Sequence, residues 1–148
     1  MTLTHHKDIR IMIELTKDYW DQRYLKGETQ WDIGSISEPF RYYFDQLTNK
    51  KLHILIPGGG NAHEAEYLFC NGFEYVFLLD WSPKALENFK ERLPDFPSDQ
   101  LINSDFFQHT GQYDIIIEQT FFCALNPNLR KKYVQHSHQL LKNEGKLV

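Results

Sequence analysis

Leu52-His-Ile-Leu-Ile-Pro-Gly-Gly-Gly60 is the stretch that decides the fold of this chain. Its apolar run is typical of a strand, stops at a proline and three glycines, and is followed by a helix-compatible segment over residues 61–71. A strand, a tight turn and a helix start form the place where α/β sheets bind nucleotide-like ligands. Glycine suits such a turn because a Cβ atom would hold a ligand away from the backbone. The stretch therefore predicts that a ligand lies against Pro57, Gly58, Gly59 and Gly60.

Two carboxylates follow the next two apolar runs. Asp80 comes twenty residues after Gly60, at the end of the second run, where a carboxylate can accept hydrogen bonds from two ribose hydroxyls. Asp105 follows the third run and precedes Phe106, so that the carboxylate can accept from an adenine amino group while the ring covers the base. A phenylalanine at that position is equally typical of the core. Together these residues predict a site for a cofactor that contains adenosine.

Strand-like and helix-like segments alternate along the chain. We predict strands at 52–56, 75–79, 100–103 and 113–118. We predict helices at 17–25, 40–47, 61–70 and 126–142. A further helix is predicted from Pro83 to before Pro94, with Ser82 as its N-terminal cap. Residues 143–145 predict a turn into a fifth strand at 146–148, where the chain stops. The alternation predicts an α/β fold: a Rossmann-like, doubly wound, mostly parallel sheet, truncated after strand five. The length of 148 residues predicts one domain, 1–148.

Charge and composition argue against several classes of partner. The net charge is −4 and Lys and Arg form no block, which disfavours nucleic-acid binding. No apolar run approaches the ~20 residues that span a bilayer, and the N-terminus has no signal-peptide pattern, so we expect a cytoplasmic protein.

In that reducing setting Cys70 and Cys123 are expected to be buried apolar thiols. His136 and His138 stand two apart in a predicted helix and cannot share a metal, so we expect none.

Two cofactors that contain adenosine compete for this pattern. A dinucleotide fingerprint needs a third glycine, yet His63 occupies that position and Glu64 follows it. Bulk and negative charge there disfavour the pyrophosphate of NAD. S-adenosylmethionine has no phosphate, and its ammonium group would suit Glu64, although helix-dipole compensation explains Glu64 equally well. The pattern therefore favours S-adenosylmethionine over NAD.

With these residues in hand, the chain resembles the thiopurine methyltransferase superfamily, and most of all its halide/thiol methyltransferase branch from plants. The resemblance runs from about Tyr19 to Val148. The matching stretches are Trp20-Asp-Gln-Arg-Tyr24, Trp31-Asp-Ile-Gly34, Ile56-Pro-Gly-Gly-Gly60 with His63-Glu64, Leu79-Asp-Trp-Ser82, Asp105-Phe106, and Tyr113 to Pro127 with Arg130.

The resemblance implies transfer of a methyl group from S-adenosylmethionine to a small nucleophile, a thiol or a halide. It implies an N-terminal lid at about 17–49, a nucleotide-binding core at 50–148, and further C-terminal elements that this chain lacks. It also implies that Trp20, Tyr24 and Trp31 form the lid over the cofactor. Gly58 and its neighbours would pass under the methionine portion, Asp80 would bind the ribose, and Asp105 and Phe106 would bind adenine. Gln119 would lie near the sulfonium, and Trp81 would also contact the cofactor.

The sequence departs from the family pattern at two of these positions. Gly59 stands where the family often has cysteine, and Gln119 replaces an arginine or a tyrosine, which leaves the identity of the acceptor open. No catalytic residue is assigned, because a halide or thiolate is already an anion and needs no strong base. Three alternatives remain: a cofactor-binding domain without turnover, an NAD-dependent oxidoreductase, and a nucleic-acid methyltransferase, which would usually carry an Asn-Pro-Pro-Tyr-like clamp after strand four.

Overall fold

The computed structural model describes residues 15–148, and its centre is a five-stranded parallel sheet. The strands lie in the order β3-β2-β1-β4-β5, which confirms the predicted Rossmann-like α/β fold. They are β1 His53–Pro57, β2 Tyr75–Asp80, β3 Leu101–Asn103, β4 Tyr113–Ile116 and β5 Leu141–Leu147. The strand order reverses between β1 and β4, so a crevice opens beyond the carboxyl ends of these two strands.

Helices cover both faces of the sheet because side chains alternate along buried parallel strands. Ile54 and Ile56 of β1 belong to the apolar core on one face, whereas Leu55 between them belongs to the core on the other face. The helices are α1 Lys17–Leu25, α2 Glu38–Asp45, α3 His63–Cys70, α4 Pro83–Arg92, α5 Phe121–Ala124 and α6 Arg130–Leu140. Within residues 15–148, no helix is long and apolar enough to span a bilayer.

The C-terminal strand differs from its prediction. We predicted a helix to residue 142, a turn at 143–145 and a strand at 146–148, but α6 ends at Leu140 and β5 begins at Leu141. Tyr113 of β4 pairs with Leu141, whereas Ile115 pairs with Lys146, so the intervening residues of β5 bulge out of the ladder. Glu144 in this bulge has a left-handed φ of 64°. The predicted turn is therefore a bulge within a longer strand.

The expectation that both cysteines are buried is wrong: Cys70 and Cys123 are exposed. The helix α3 buries Glu64, Ala65 and Leu68, and Cys70 lies two residues past Leu68, about 200° around the helix axis. Cys123 lies on the short helix α5, where its thiol donates to the carbonyl of Thr120 over 3.0 Å. The usual preference of cysteine for the protein interior therefore did not predict the exposure of either residue.

The start of α4 is held by a buried cap that also joins two helices. The Ser82 hydroxyl is fully buried, accepts from the Ala85 N–H over 3.2 Å and donates to the Asp21 carboxylate of α1 over 2.6 Å. The Lys84 N–H also donates to Asp21, over 3.2 Å. This confirms the predicted cap and shows that α1 is docked on it.

We expect Ser82→Ala to lower the free energy of unfolding by about 1–2 kcal/mol, because a helix cap and a hydrogen bond to a carboxylate are both lost. Urea unfolding followed by circular dichroism measures the change. Ser98→Ala is the matched control, since Ser98 is exposed and is expected to change stability by less than ~0.5 kcal/mol. Equal effects of the two substitutions would contradict the assignment of Ser82 as the link between α1 and α4.

Candidate functional site

The glycine turn after β1 has a backbone that only glycine adopts easily. Gly58 and Gly60 have φ values of 59° and 57°, in the left-handed region. A Cβ atom added to Gly58 would lie 2.1 Å from the ring of Phe121, and one added to Gly60 would lie 2.2 Å from the hydroxyl of Tyr24. Both the backbone conformation and the close approach of these two side chains therefore require glycine, while a ligand lying against the turn stays a prediction.

Asp80 ends β2 and is tied to this turn. Its carboxylate is 6% exposed, accepts from the Gly60 N–H over 3.0 Å, and accepts from the Ser82 N–H over 2.9 Å. Burial raises the pKa of Asp80, while the N–H groups of Ser82, Gly60 and Trp81 act in the opposite direction. Backbone donors therefore hold both oxygens of the carboxylate in place. A carboxylate has about four lone-pair sites, so acceptor capacity for a hydroxyl group remains.

The aromatic residues of the predicted lid pack edge to face beside the turn. The ring centroids of Trp20 and Trp31 lie 5.7 Å apart, and those of Tyr24 and Trp31 lie 6.0 Å apart. Tyr24 is buried with its hydroxyl next to Gly60. Burial raises the pKa of this hydroxyl, and the Asp80 carboxylate raises it further. The structure thus brings the three lid residues, Gly60 and Asp80 into one cluster.

A cavity of about 50 Å³ lies between the lid and the glycine turn. Its lining includes Trp31, Asp32, Gly58, His63, Glu64 and Gln119. Ligand pockets usually measure at least ~300 Å³. The cavity is therefore smaller than the sites that usually hold a ligand as large as an adenosyl group.

Asp32 and His63 form a pair that the sequence analysis did not identify. His63 Nε2 lies 2.8 Å from Asp32 Oδ1, and the side chain of Asn61 donates to the other carboxylate oxygen. The Gly34 N–H also donates to Asp32, over 2.8 Å. Burial acts to raise the pKa of Asp32, but the hydrogen bonds from Gly34, Asn61 and His63 outweigh it and lower the pKa. Both residues stand in motifs that carry the family resemblance, but 31 positions separate them, so the sequence gives no sign of their contact.

Glu64 follows His63 and is also buried beside the cavity, with 8% of its surface exposed. Burial raises its pKa above the usual range for a glutamate, and the Asp32 carboxylate adds to this effect. A positively charged group brought to this wall would favour the ionised form of Glu64 and would also face the Asp32 carboxylate. The role of Glu64 as a partner for an ammonium group stays a prediction.

The remaining predicted site residues differ in their exposure. Trp81 follows Asp80 and is 38% exposed, whereas Phe106 is 3% exposed. The Phe106 ring packs against Tyr133, with centroids 5.3 Å apart, and belongs to the core on that face of the sheet. Asp105 accepts from the Phe107 N–H over 3.0 Å and caps a single 3₁₀ turn. A contact from Phe106 to a base would therefore come from its backbone, and adenine recognition at 105–106 stays a prediction.

Within residues 15–148, no group of three or more His, Cys, Asp or Glu side chains is arranged to hold a metal ion.

Comparison with known proteins gives a family match over all described residues. The model of the thiopurine S-methyltransferase family matches residues 15–148. A probable thiol methyltransferase 2 from Arabidopsis thaliana is 26% identical over an alignment of 144 residues, which covers 94% of this chain and 63% of that protein. Thiocyanate methyltransferase 1 from Brassica oleracea is 27% identical over an alignment of 134 residues, which covers 87% of this chain and 59% of the relative. The chain thus spans about three fifths of the length of these relatives.

Solved structures support the fold. Magnesium protoporphyrin IX methyltransferase from Synechocystis PCC 6803, determined with bound SAM, superposes with a TM-score of 0.68 at 16% sequence identity. The superposition covers 85% of this chain and 70% of that protein. At this level of identity the likeness is one of fold alone.

Proposed function

The chain belongs to the thiopurine S-methyltransferase family, and from this premise we propose that it binds S-adenosylmethionine and transfers the methyl group to a small thiol or halide. The observation that carries the proposal is the buried Asp80 carboxylate, which is joined by its two oxygens to the glycine turn and to the start of α4. This arrangement presents fixed acceptors beside a backbone surface without side chains, which suits a ribose next to an amino-acid tail.

In this proposal each wall of the site holds one part of the cofactor. Asp80 accepts from the ribose, the turn at Gly58–Gly60 passes beneath the methionine portion, and Glu64 faces its ammonium group. The other predicted contacts are the lid residues Trp20, Tyr24 and Trp31, the adenine neighbours Trp81, Asp105 and Phe106, and Gln119 near the sulfonium. We further propose that the chain forms a single domain, with a lid at about 17–49 and a core at 50–148. We propose that it acts in the cytoplasm, on small molecules and not on nucleic acid.

When bound, S-adenosylmethionine supplies a methyl group on a sulfonium, which already has a good leaving group. The chain's own residues then have to align the acceptor and exclude water, and orientation alone is worth about 7–11 kcal/mol of barrier in favourable cases. Trp20 and Trp31 would exclude water, and their ring faces tolerate a cation. The names of the two plant relatives, a thiol and a thiocyanate methyltransferase, support a soft nucleophile as the acceptor.

Tryptophan fluorescence tests the cofactor directly, because the three tryptophans, Trp20, Trp31 and Trp81, all belong to the proposed site. We expect S-adenosylhomocysteine to change the fluorescence and to give a binding isotherm by calorimetry, and NADH to do neither. A response to NADH without one to S-adenosylhomocysteine would replace this proposal with the oxidoreductase alternative.

Methyl transfer is then measured with labelled S-adenosylmethionine and a set of acceptors: iodide, thiocyanate, bisulfide and an alkyl thiol. We expect labelled product from at least one of them. Tight binding of S-adenosylhomocysteine with no transfer to any of the four would instead support a cofactor-binding domain without turnover.

A further inference from the structure

The Asp32–His63 pair lies in the wall of the cavity beside Gly58 and Gln119, which the proposed function places next to the methionine portion and the sulfonium. Asp32 follows the lid tryptophan, His63 is the first residue of α3, and both line the cavity together with Gly58 and Gln119. The 2.8 Å contact between them connects the lid to the core. The titratable groups in the lining of this cavity are Asp32, His63 and Glu64.

The contacts of Asp32 determine which ring nitrogen of His63 can accept a proton. An ionised carboxylate only accepts hydrogen bonds, so the neutral imidazole must carry its hydrogen on Nε2, the atom that faces Asp32. Its lone pair is then on Nδ1, which makes no hydrogen bond with any residue of 15–148. The donors Gly34 and Asn61 hold the carboxylate in its orientation. The result is an oriented imidazole with a free basic nitrogen, as in sites where a carboxylate orients a histidine base.

The two classes of acceptor differ in their need for such a base. Iodide and thiocyanate are anions at neutral pH, whereas a thiol such as that of cysteine has a pKa of about 8.5 and is mostly protonated. A neutral thiol also avoids bringing an anion toward the carboxylate of Asp32, whose pKa is lowered by its hydrogen bonds. The charges that line this cavity therefore suit a thiol better than a halide.

We infer that His63, oriented by Asp32, accepts the proton of a neutral thiol acceptor during methyl transfer; this inference rests on the proposed function. The thiol S–H bond breaks as the proton moves to Nδ1. The sulfur's electron pair forms the bond to the methyl carbon, and the pair of the broken methyl–sulfonium bond remains on the sulfur of S-adenosylhomocysteine. The imidazolium then releases its proton to water, so the products are a methyl thioether, S-adenosylhomocysteine and a proton.

The test compares wild type with His63→Gln on two acceptors, ethanethiol and thiocyanate, at pH 7. The glutamine amide retains an N–H donor for Asp32 but has no basic nitrogen, so it separates proton transfer from the docking of the lid. General bases typically contribute ~10²–10⁴-fold. We expect kcat/KM for ethanethiol to fall at least ~100-fold and the value for thiocyanate to fall much less, because no proton is transferred there. The deficit with ethanethiol should shrink as the pH rises and free thiolate accumulates.

Equal losses with both acceptors would overturn the inference and leave His63 a residue that positions the lid. Transfer to thiocyanate but never to ethanethiol in wild type would also overturn it, while the proposed function would stand. Transfer to neither acceptor would overturn the inference, and it would overturn the proposed function as well only if iodide and bisulfide also gave no product.

A second readout needs no turnover. Long-range ¹H–¹⁵N spectra of the wild-type chain report which nitrogen of each imidazole carries hydrogen, and the resonance that is missing in His63→Gln identifies His63. We expect the Nε2–H form, with a larger share of the Nδ1–H form in Asp32→Asn. A predominant Nδ1–H form in the wild-type chain would overturn the inference.

Discussion

Replacing Asp80 with asparagine is expected to weaken the binding of S-adenosylhomocysteine by ~100-fold or more. A hydrogen bond to a charged group contributes about 1.5–3 kcal/mol, and the substitution removes the charge from both proposed ribose contacts. A loss of about 3 kcal/mol corresponds to roughly a 100-fold change in affinity. Titration calorimetry on the two purified chains measures it.

The same substitution has a separate effect on stability. The new amide group would turn its donor toward an N–H of Gly60 or Ser82, each of which now donates to Asp80. An unmatched buried donor costs about 1–3 kcal/mol, so we expect the chain to remain folded with a lower melting temperature. Circular dichroism before each titration checks that the chain is folded.

Asp114→Asn is the matched control for this loss of affinity. Asp114 also accepts a backbone N–H, from His53 over 2.7 Å, and pairs with Lys142 over 3.0 Å. It lies at the other end of β1 and β4, near their first residues. We expect this variant to lose stability without losing affinity. A folded Asp80→Asn chain that binds as tightly as wild type would show that the ribose does not contact Asp80.

Replacing Gly60 with alanine is expected to destabilise the chain and to weaken cofactor binding at least tenfold. The left-handed backbone at φ 57° costs a residue with a Cβ atom about 1–2 kcal/mol. The methyl group would also lie 2.2 Å from the Tyr24 hydroxyl, and relieving such a contact costs typically ~1–3 kcal/mol. Affinity falls because the methyl group displaces the lid residue and stands on the surface that the cofactor would contact.

Two variants separate the backbone effect from the contact. Gly72 has φ 83°, and a methyl group added there would meet no atom within 4 Å, so Gly72→Ala measures the backbone cost alone. Combining Gly60→Ala with Tyr24→Phe removes the hydroxyl that the methyl group meets. We expect Gly72→Ala to leave affinity unchanged, and the double variant to recover most of the stability lost through the contact. If Gly60→Ala and Gly72→Ala lose the same stability, Tyr24 does not press on the turn.

The sheet, the glycine turn and the capped start of α4 could be predicted because each is a local pattern. The sheet shows as runs of apolar residues, the turn as a strand that ends in glycines, and the helix start as a serine before a proline. Each of these patterns involves residues only a few positions apart. The carboxyl ends of neighbouring parallel strands must also meet, so Asp80 could be placed near the turn from its position in the sequence. The bulge in β5 escaped prediction because it depends on how Leu141 and Lys146 pair with β4, which lies far away in sequence.

By itself, therefore, the sequence determined the Rossmann-like class, the place of the candidate site at the ends of β1 and β2, and the family. Only the tertiary structure decided that Asp32 contacts His63, that Tyr24 lies against Gly60, that Phe106 belongs to the core and that both cysteines are exposed. The physical reason is the range of the interactions: periodicity and turn chemistry act between near neighbours along the chain. Contacts between distant segments depend instead on how the helices and loops pack against one another and against the sheet.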